Sequence, residues 1–216
     1  MKRMLILIAA VLLACVGGKG RGAGDRLPIL SAGVSASSDG QLVLTAEAVR
    51  QDSLEGNAAS LYLTTSGDDP AALFTGAEQL LAGQLYLSHA RTFVIDEAVA
   101  LEGIAPLVQV LLAQDDVRLT LRLAVARDVT ADEIIRAQAV VEEIPGEALG
   151  ALLDAHAVQG GLPDLPLCRV SDRILSGADF SLPALTLTED GRVIPAGQAD
   201  FRLGRMTGFS GGEGLA

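Results

Sequence analysis

Residues 118–125 have the strictest periodicity in the chain, and this pattern limits the fold more than any other feature. Every second position is apolar, at Leu119, Leu121, Leu123 and Val125. A period of two residues predicts a β-strand with one buried face. Similar strand patterns recur at residues 29–36, 41–50, 61–65, 92–95, 182–188 and 192–202, which predicts a sheet of several strands.

Helical patterns lie between the later strands. Pro70 begins one over residues 70–81, residues 104–113 form a second, and Pro145 begins another. Thr130 and Glu133 match a capping box at the start of a further helix, and residues 171–175 favour one more helical turn. Asp39-Gly40 and Asp190-Gly191 are turn sequences between strands. This order predicts an α+β fold, with a mixed β-sheet, helices packed on it and a terminal β-hairpin.

The core of such a fold must be mainly aliphatic. The chain has 5 Phe, 2 Tyr and no Trp, whereas half of all its residues are hydrophobic. In residues 41–50 the apolar positions alternate with more polar ones such as Thr45 and Glu47, which predicts a strand with one face in solvent. Cys168 has apolar neighbours and is expected to be a small buried residue.

The N-terminus has the features of an export signal. Lys2 and Arg3 precede an apolar run over residues 5–13, too short to span a bilayer, and this run leads into Ala14 and Cys15. The sequence resembles a bacterial lipoprotein signal, so we expect cleavage before Cys15 and a lipid on its thiol. The alternative is an ordinary signal peptide with an incidental cysteine. We therefore divide the chain into a signal peptide (1–14), a glycine-rich tether (15–24), one domain (25–209) and a frayed tail (210–216).

The charge of the chain argues against nucleic acid as a partner. The formal net charge is −11, and no basic patch with interleaved aromatic residues is present in the sequence. Nucleic-acid phosphates would be repelled by such an acidic surface. With two acyl chains, an anchor at Cys15 would hold the protein on a membrane without help from charge.

The sequence contains no recognisable catalytic or metal-binding arrangement. Only His89, His156 and Cys168 could supply nitrogen or sulfur ligands to the domain, and their spacing fits no zinc motif. Ser88 precedes His89, but neighbours on an extended chain point to opposite faces. The acid pairs Asp68-Asp69 and Asp115-Asp116 fall at predicted turns and are interpreted as solvated residues. We expect no catalytic residue, no cofactor and no metal, and we interpret His89 as a structural histidine.

One stretch of the chain resembles a known family. Residues 85–97 read LYLSHARTFVIDE and are followed by Glu102-Gly103-Ile104 and by Asp115-Asp116-Val117-Arg118. This is similar to the N-terminal domain of the Ger(x)C family, the lipoprotein C subunit of spore germinant receptors. Asp25-Arg26, residues 32–34 with Asp39-Gly40, and residues 199–208 resemble further blocks of that family in the same order. Asp96 stands where the family usually has Gly, Val16 where it commonly has Trp, and family members continue into further C-terminal domains.

The resemblance implies a non-catalytic subunit of a nutrient receptor. Its partners would be the integral membrane subunits of the A and B type, and its place would be the outer face of the inner spore membrane, reached through a lipid anchor. His89, Arg91 and Arg118 become candidate structural or partner-facing residues, on the expectation that residues 89–91 are extended and that His89 and Arg91 share a face. The alternatives are a solute-binding lipoprotein of a transporter, an exported hydrolase, or a non-functional short form.

Overall fold

A computed structural model describes residues 28–51, 58–81, 85–137 and 144–211. The predicted signal peptide, Cys15 and the predicted tether lie outside these residues. The eight strands of the described chain form one sheet in the order β3-β2-β1-β4-β5-β6-β7-β8. They are β1 (Ile29–Ala36), β2 (Leu42–Gln51), β3 (Ala58–Gly67), β4 (Thr92–Asp96), β5 (Arg122–Ala126), β6 (Phe180–Leu187), β7 (Val193–Arg202) and β8 (Arg205–Ser210).

The centre of the sheet is parallel and both flanks are antiparallel. β1, β4, β5 and β6 run in one direction, whereas β2–β3 and β7–β8 are joined to this centre by antiparallel pairing. Parallel neighbours need long crossover connections, and helices supply them between β4, β5 and β6. Turns join β1 to β2, β6 to β7 and β7 to β8. Gly40 and Gly191 have the positive φ angles that the first two of these turns require, 86° and 73°. The mixed sheet, the packed helices and the strand hairpin confirm the predicted α+β class.

Helices cover both faces of the sheet. Those of the described residues are α1 (Pro70–Leu81), α2 (Glu97–Glu102), α3 (Ala105–Leu112), α4 (Ala131–Arg136), α5 (Pro145–Val158) and α6 (Leu167–Ser176). On one face, α1, α2, α3 and α6 pack around Phe93, Ile95 and Leu123. On the other, α4 and α5 pack around Val94 and Ala124. Neighbouring residues of β4 and β5 therefore belong to two different cores, as expected for strands buried on both faces.

We call the side of the sheet where β1, β4, β5 and β6 begin the amino edge, and the opposite side the carboxyl edge. Ser31, Thr92 and Arg122 are aligned across the first three of these strands. β7 runs back along β6 with Phe201 opposite Phe180, so the β7–β8 turn at Leu203-Gly204 also lies at the amino edge. α6 follows the same edge from β5 to this turn.

The strand predicted over residues 118–125 is wrong for its first half. β5 begins at Arg122, because Leu121 N donates a hydrogen bond to Arg118 O at 3.0 Å and closes a turn instead. Leu119 is consequently exposed, whereas Leu121 is buried. The alternation continued beyond the strand because the turn happened to carry apolar and polar residues in the same order.

Other expectations also need correction. β2 is not open to solvent on its polar face, since Thr45 and Glu47 are buried there. α2 and β8, six residues each, are not signalled by any long periodic run in the sequence. α6 begins at Leu167, before the predicted turn at 171–175. Ser210, predicted to belong to the frayed tail, is the last residue of β8.

Candidate interaction edge

The three candidate residues from the sequence all lie at or beside the amino edge. His89 ends a single 3-10 helical turn, Leu87–His89, and its ring centroid lies 5.7 Å from that of Tyr86. Arg91 follows two residues later, directly before β4, and Arg118 is exposed in the turn that precedes β5. The expectation that residues 89–91 are extended is wrong, because the helical turn includes His89.

Arg91 belongs to a cluster of charges that the sequence did not reveal. Asp154 of α5 forms ion pairs with both Arg91 and Arg122. Arg122 Nε also contacts Asp164 Oδ1 at 2.7 Å. The hydrogen bond to Asp164, opposed by partial burial and supported by Asp154, raises the pKa of the Arg122 guanidinium above its usual value. The four side chains join β4 and β5 to α5 and to the loop that follows α5.

Two glycines allow α5 to lie close to this cluster. A Cβ atom on Gly150 would lie 3.0 Å from Arg91 Nε, and one on Gly146 would lie 2.5 Å from Glu47 Oε2. Both glycines are buried, four residues apart on one face of the helix. Larger side chains at these two positions would separate α5 from the sheet, so the ion pairs at Asp154 depend on the glycines beneath them.

A polar row runs across the sheet under α5. Tyr62, Glu47, Ser31, Thr92 and Arg122 are aligned in register on five adjacent strands. The fully buried Glu47 carboxylate accepts hydrogen bonds from the Ser31 hydroxyl (2.9 Å) and the Ser60 hydroxyl (2.6 Å). Burial, with the nearby Glu47 charge, raises the pKa of Tyr62. The buried Thr92 hydroxyl has no hydrogen-bond partner. α5 is therefore held partly by polar contacts.

Asp96 connects three elements at the carboxyl edge. Its carboxylate accepts hydrogen bonds from the backbone N–H groups of Ala36 and Ala131, at the end of β1 and the start of α4. Burial raises the pKa of Asp96, although these hydrogen bonds act in the opposite direction. The resemblance described above places Asp96 where that family usually has Gly. Here it provides an acceptor for two backbone donors.

Several residues interpreted as solvated or buried have other roles. Asp116 Oδ2 accepts a hydrogen bond from Leu87 N at 2.8 Å and so supports the turn that ends at His89. Asp69 Oδ1 accepts one from Ala72 N at 2.8 Å in the first turn of α1. Neither carboxylate is simply solvated. Cys168 is partly exposed on α6 rather than fully buried, and His156 lies in the last turn of α5.

Among the side chains that the structure describes, no three His, Cys, Asp or Glu residues are grouped so as to hold a metal ion. The buried Ser88 hydroxyl has no hydrogen-bond partner, so it does not contact the neighbouring His89 ring. None of the helices in the described ranges is long and apolar enough to cross a membrane.

The two acidic residues of this charge cluster were not predicted from the sequence. Asp154 and Asp164 carried no signal, since one lies within a helical pattern and the other between two prolines. The glycine spacing at 146 and 150 was the available clue, because glycines four residues apart in a helix indicate close packing. Arg122 was read only as the polar side of a strand.

These observations define a class of protein: an α+β domain with one mixed sheet, helices on both faces and a charged amino edge. The chain matches the family described as "Spore germination protein N-terminal domain" over residues 24–187. It therefore belongs to this family, and the resemblance drawn from residues 85–118 is confirmed.

Among solved structures, the crystal structure of the GerBC protein matches at 16% sequence identity with a TM-score of 0.42. The match covers 84% of this chain and 52% of the other, so this chain spans about half the length of that solved chain. Comparison with curated proteins gives no match.

Proposed function

We propose that this protein is a lipid-anchored, non-catalytic C-type subunit of a spore nutrient germinant receptor. The single observation that carries the proposal is the match to the germination family over residues 24–187. The proposed partners are integral membrane subunits of the A and B type, and the proposed place is the outer face of the inner spore membrane. The anchor would be a lipid on Cys15, at the end of the apolar run.

The part of the amino edge around His89, Arg91 and Asp154 is the surface that we assign to subunit assembly. Arg91 and Asp154 are each about two-fifths exposed although they are paired, so their charges remain accessible to a partner. His89 lies two residues away and is exposed on the turn that Asp116 supports. Such half-exposed ion pairs contribute little to stability but can define the orientation of a partner.

Two measurements test the anchor and the assembly separately. Cys15→Ala is expected to move the protein from the detergent phase to the aqueous phase in a phase-separation assay. Retention of the variant in the detergent phase would contradict lipidation at Cys15. In the lipidated protein, His89→Ala with Arg91→Ala is expected to reduce co-purification with the membrane subunits. Asp39→Ala, at the carboxyl edge, is the matched control and should co-purify normally.

The alternative of a solute-binding lipoprotein makes a different prediction. Such proteins close two lobes around a ligand, whereas the described residues of this chain form one sheet. Calorimetric titration with amino acids and sugars would detect the tight binding expected of a transporter component.

Full germination of spores that lack this gene would contradict the receptor role.

A further inference from the structure

Of the six large apolar side chains that are exposed among the described residues, three lie along α6 at the amino edge, and the others are Leu80, Leu101 and Val158. Leu175 is 81% exposed, Leu203 71% and Leu119 57%, although each is a large apolar side chain. Leu119 lies at the start of α6, where its carbonyl accepts a hydrogen bond from Cys168 N at 3.2 Å. Leu203 lies at the end of α6, where a Cβ atom on Gly177 would be 3.4 Å from Leu203 Cδ2. The three leucines therefore follow one helix along one edge of the sheet.

Leu203 is also held in an unfavourable backbone conformation. Its φ is +50° in the two-residue turn Leu203-Gly204, where the neighbouring glycine has φ +74°. Turns of this kind prefer Asn, Asp or Gly at both positions. A leucine there strains the backbone, and its exposed side chain gains little packing in return. Strain of this kind is often retained at binding sites. The exposed Leu203 side chain is therefore a candidate binding residue.

The charges around these leucines distinguish the two edges of the sheet. Arg118 adjoins Leu119, Arg205 follows the Leu203-Gly204 turn and Arg173 lies on α6; all three are exposed and form no ion pair with a described residue. The exposed acids near α6, Asp172 and Asp179, are paired with Arg169 and Arg202. The turns of the carboxyl edge instead expose acidic residues, namely Asp39, Asp68, Asp69, Glu189 and Asp190. An anionic surface would therefore be favoured at the α6 part of the amino edge over the carboxyl edge.

The position of the proposed anchor favours the same edge. The described chain begins at Pro28, which pairs with Tyr86 at the amino edge. Twelve residues separate Cys15 from Pro28, and they can span at most about 40 Å. β1 and β7 are four strand spacings apart in the sheet, which is roughly 19 Å. A chain tethered at Cys15 can thus place α6 and the Leu203 turn on the membrane to which it is attached.

We propose that α6 and the Leu203-Gly204 turn dock onto an anionic lipid surface. Leu119, Leu175 and Leu203 enter the interfacial layer, while Arg118, Arg173 and Arg205 bind lipid phosphates. A fluid surface suits these residues because they protrude singly from three separate segments. The inference rests on the proposed lipid anchor, since attachment at Cys15 keeps this edge near the membrane.

The test uses the full lipidated chain, with Cys168→Ser to remove the free thiol. A polarity-sensitive fluorophore is attached to Leu203→Cys, and the matched control carries it at Ser38→Cys in the β1–β2 turn of the carboxyl edge. Each protein is reconstituted into vesicles of phosphatidylcholine alone or of phosphatidylcholine with phosphatidylglycerol. We expect a blue shift at position 203 in the anionic vesicles and none at position 38. Arg173→Gln with Arg205→Gln should lower the docked-to-free ratio roughly thirtyfold.

A second variant separates docking from a structural role. With the fluorophore at Leu175→Cys, Leu203→Asn should weaken the blue shift while raising the melting temperature. A residue needed only for folding would lower the melting temperature instead.

The outcomes distinguish the two proposals. Protein that fails to attach to either kind of vesicle would refute the anchor, and with it this docking. Protein that attaches without a shift at position 203 would refute the docking alone. An equal blue shift at position 38 would refute the claim that the protein docks through its amino edge. A shift that requires the receptor's membrane subunits would show that a protein, not lipid, covers the leucines.

Discussion

Leu203 shows how one residue can oppose the preferences of its own turn. β7 and β8 are joined by two residues with positive φ, a geometry that glycine and asparagine adopt with little cost. Leucine has a Cβ that clashes with the backbone in this region. Gly204 meets the requirement and Leu203 does not. The turn therefore forms because β7 and β8 pair on both sides of it.

Replacing Leu203 by Asn should stabilise the protein. Asparagine tolerates the left-handed region, so the free energy of unfolding should rise by about 1 kcal/mol. Chemical denaturation followed by circular dichroism measures the change. Asp128 has a similar φ of +61° but already suits it, so Asp128→Asn is the control and should change little. A lower stability for Leu203→Asn would mean that the leucine side chain contributes packing.

Asp96 is a buried acidic residue whose charged form is disfavoured by burial, but its carboxylate completes two hydrogen bonds. Its two carboxylate oxygens accept from Ala36 N and Ala131 N. An asparagine has only one oxygen, so one N–H group would face its amide nitrogen. Leaving such a buried donor unpaired costs about 1–3 kcal/mol.

The destabilisation caused by Asp96→Asn should depend on pH in a defined direction. Burial raises the pKa of Asp96 in the folded state above 3.8, so the folded protein binds this proton more strongly than the unfolded chain does. The contribution of Asp96 is therefore greatest below pH 3.8 and falls as the pH rises through the raised folded pKa. Denaturant unfolding of wild type and variant between acid and neutral pH should show a shrinking difference.

Asp39 provides a control of opposite sign. The hydrogen bond from Gln41 N lowers the pKa of Asp39 below 3.8 in the folded state. Its contribution is present above pH 3.8 and disappears as the pH falls through the lowered value. The effect of Asp39→Asn should thus shrink toward acid pH. The same pH trend for both variants would contradict this interpretation of Asp96.

At the level of elements, the boundary of β5 explains why two similar leucines differ. Leu121 is 1% exposed and belongs to the larger core, whereas Leu119 lies in the preceding turn. The sequence pattern treated both as members of one buried face. The turn closed by Arg118 and Leu121 takes Leu119 out of that face.

Leu121→Asp should destabilise the protein by several kcal/mol, because it buries a carboxylate without a partner. Leu119→Asp, two residues earlier, should change the free energy of unfolding by less than about 0.5 kcal/mol, as most surface substitutions do. Thermal melts of the two variants make the comparison. Similar losses for both would place Leu119 in the core and restore the longer strand.

α5 packs differently from the other helices. Its buried face combines Leu149 and Leu153 with Gly146 and Gly150, so apolar and polar contacts alternate along it. The glycines place the helix directly over the polar row, and Asp154 then reaches both Arg91 and Arg122. The position of Asp154 between Arg91 and Arg122 therefore depends on having glycine, with no side chain, at positions 146 and 150.

For the whole molecule, the two cores depend on the same central strands. Phe93 and Ile95 face one core, and Val94 between them faces the other. Unfolding of β4 or β5 would expose apolar residues of both cores. The described domain should accordingly unfold as one cooperative unit.

Equilibrium unfolding tests this cooperativity. Tyr62 packs against the smaller core. With Tyr86→Phe to remove the other tyrosine, its fluorescence reports on that core, while far-ultraviolet circular dichroism reports on all elements. The two transitions should coincide in urea. The same measurement on Leu153→Ala is informative, since damage to the smaller core should shift both probes together. Separate midpoints would indicate that the two faces unfold independently.

Much of the fold could be predicted from local patterns. The bounds of β1 and α1 agree with the predicted ranges, and the capping box at Thr130 and Glu133 is present as expected. The hairpin at Asp190-Gly191 is also present, with Gly191 at positive φ. These features depend on turn chemistry, capping and periodicity, which act over a few residues. α2, β8 and the start of β5 were missed because tertiary pairing determines such short segments.

The sequence by itself determined the class of fold and the family, because hydrophobic period, turns and ordered motifs are properties of consecutive residues. The candidate residues His89, Arg91 and Arg118 also came from sequence. Only the tertiary structure decided what surrounds them. Arg91 meets Asp154 across 63 positions of the chain, and Leu203 comes beside α6 only because β7 returns to the amino edge. Contacts between distant residues depend on how the sheet is ordered, and no local pattern encodes that order.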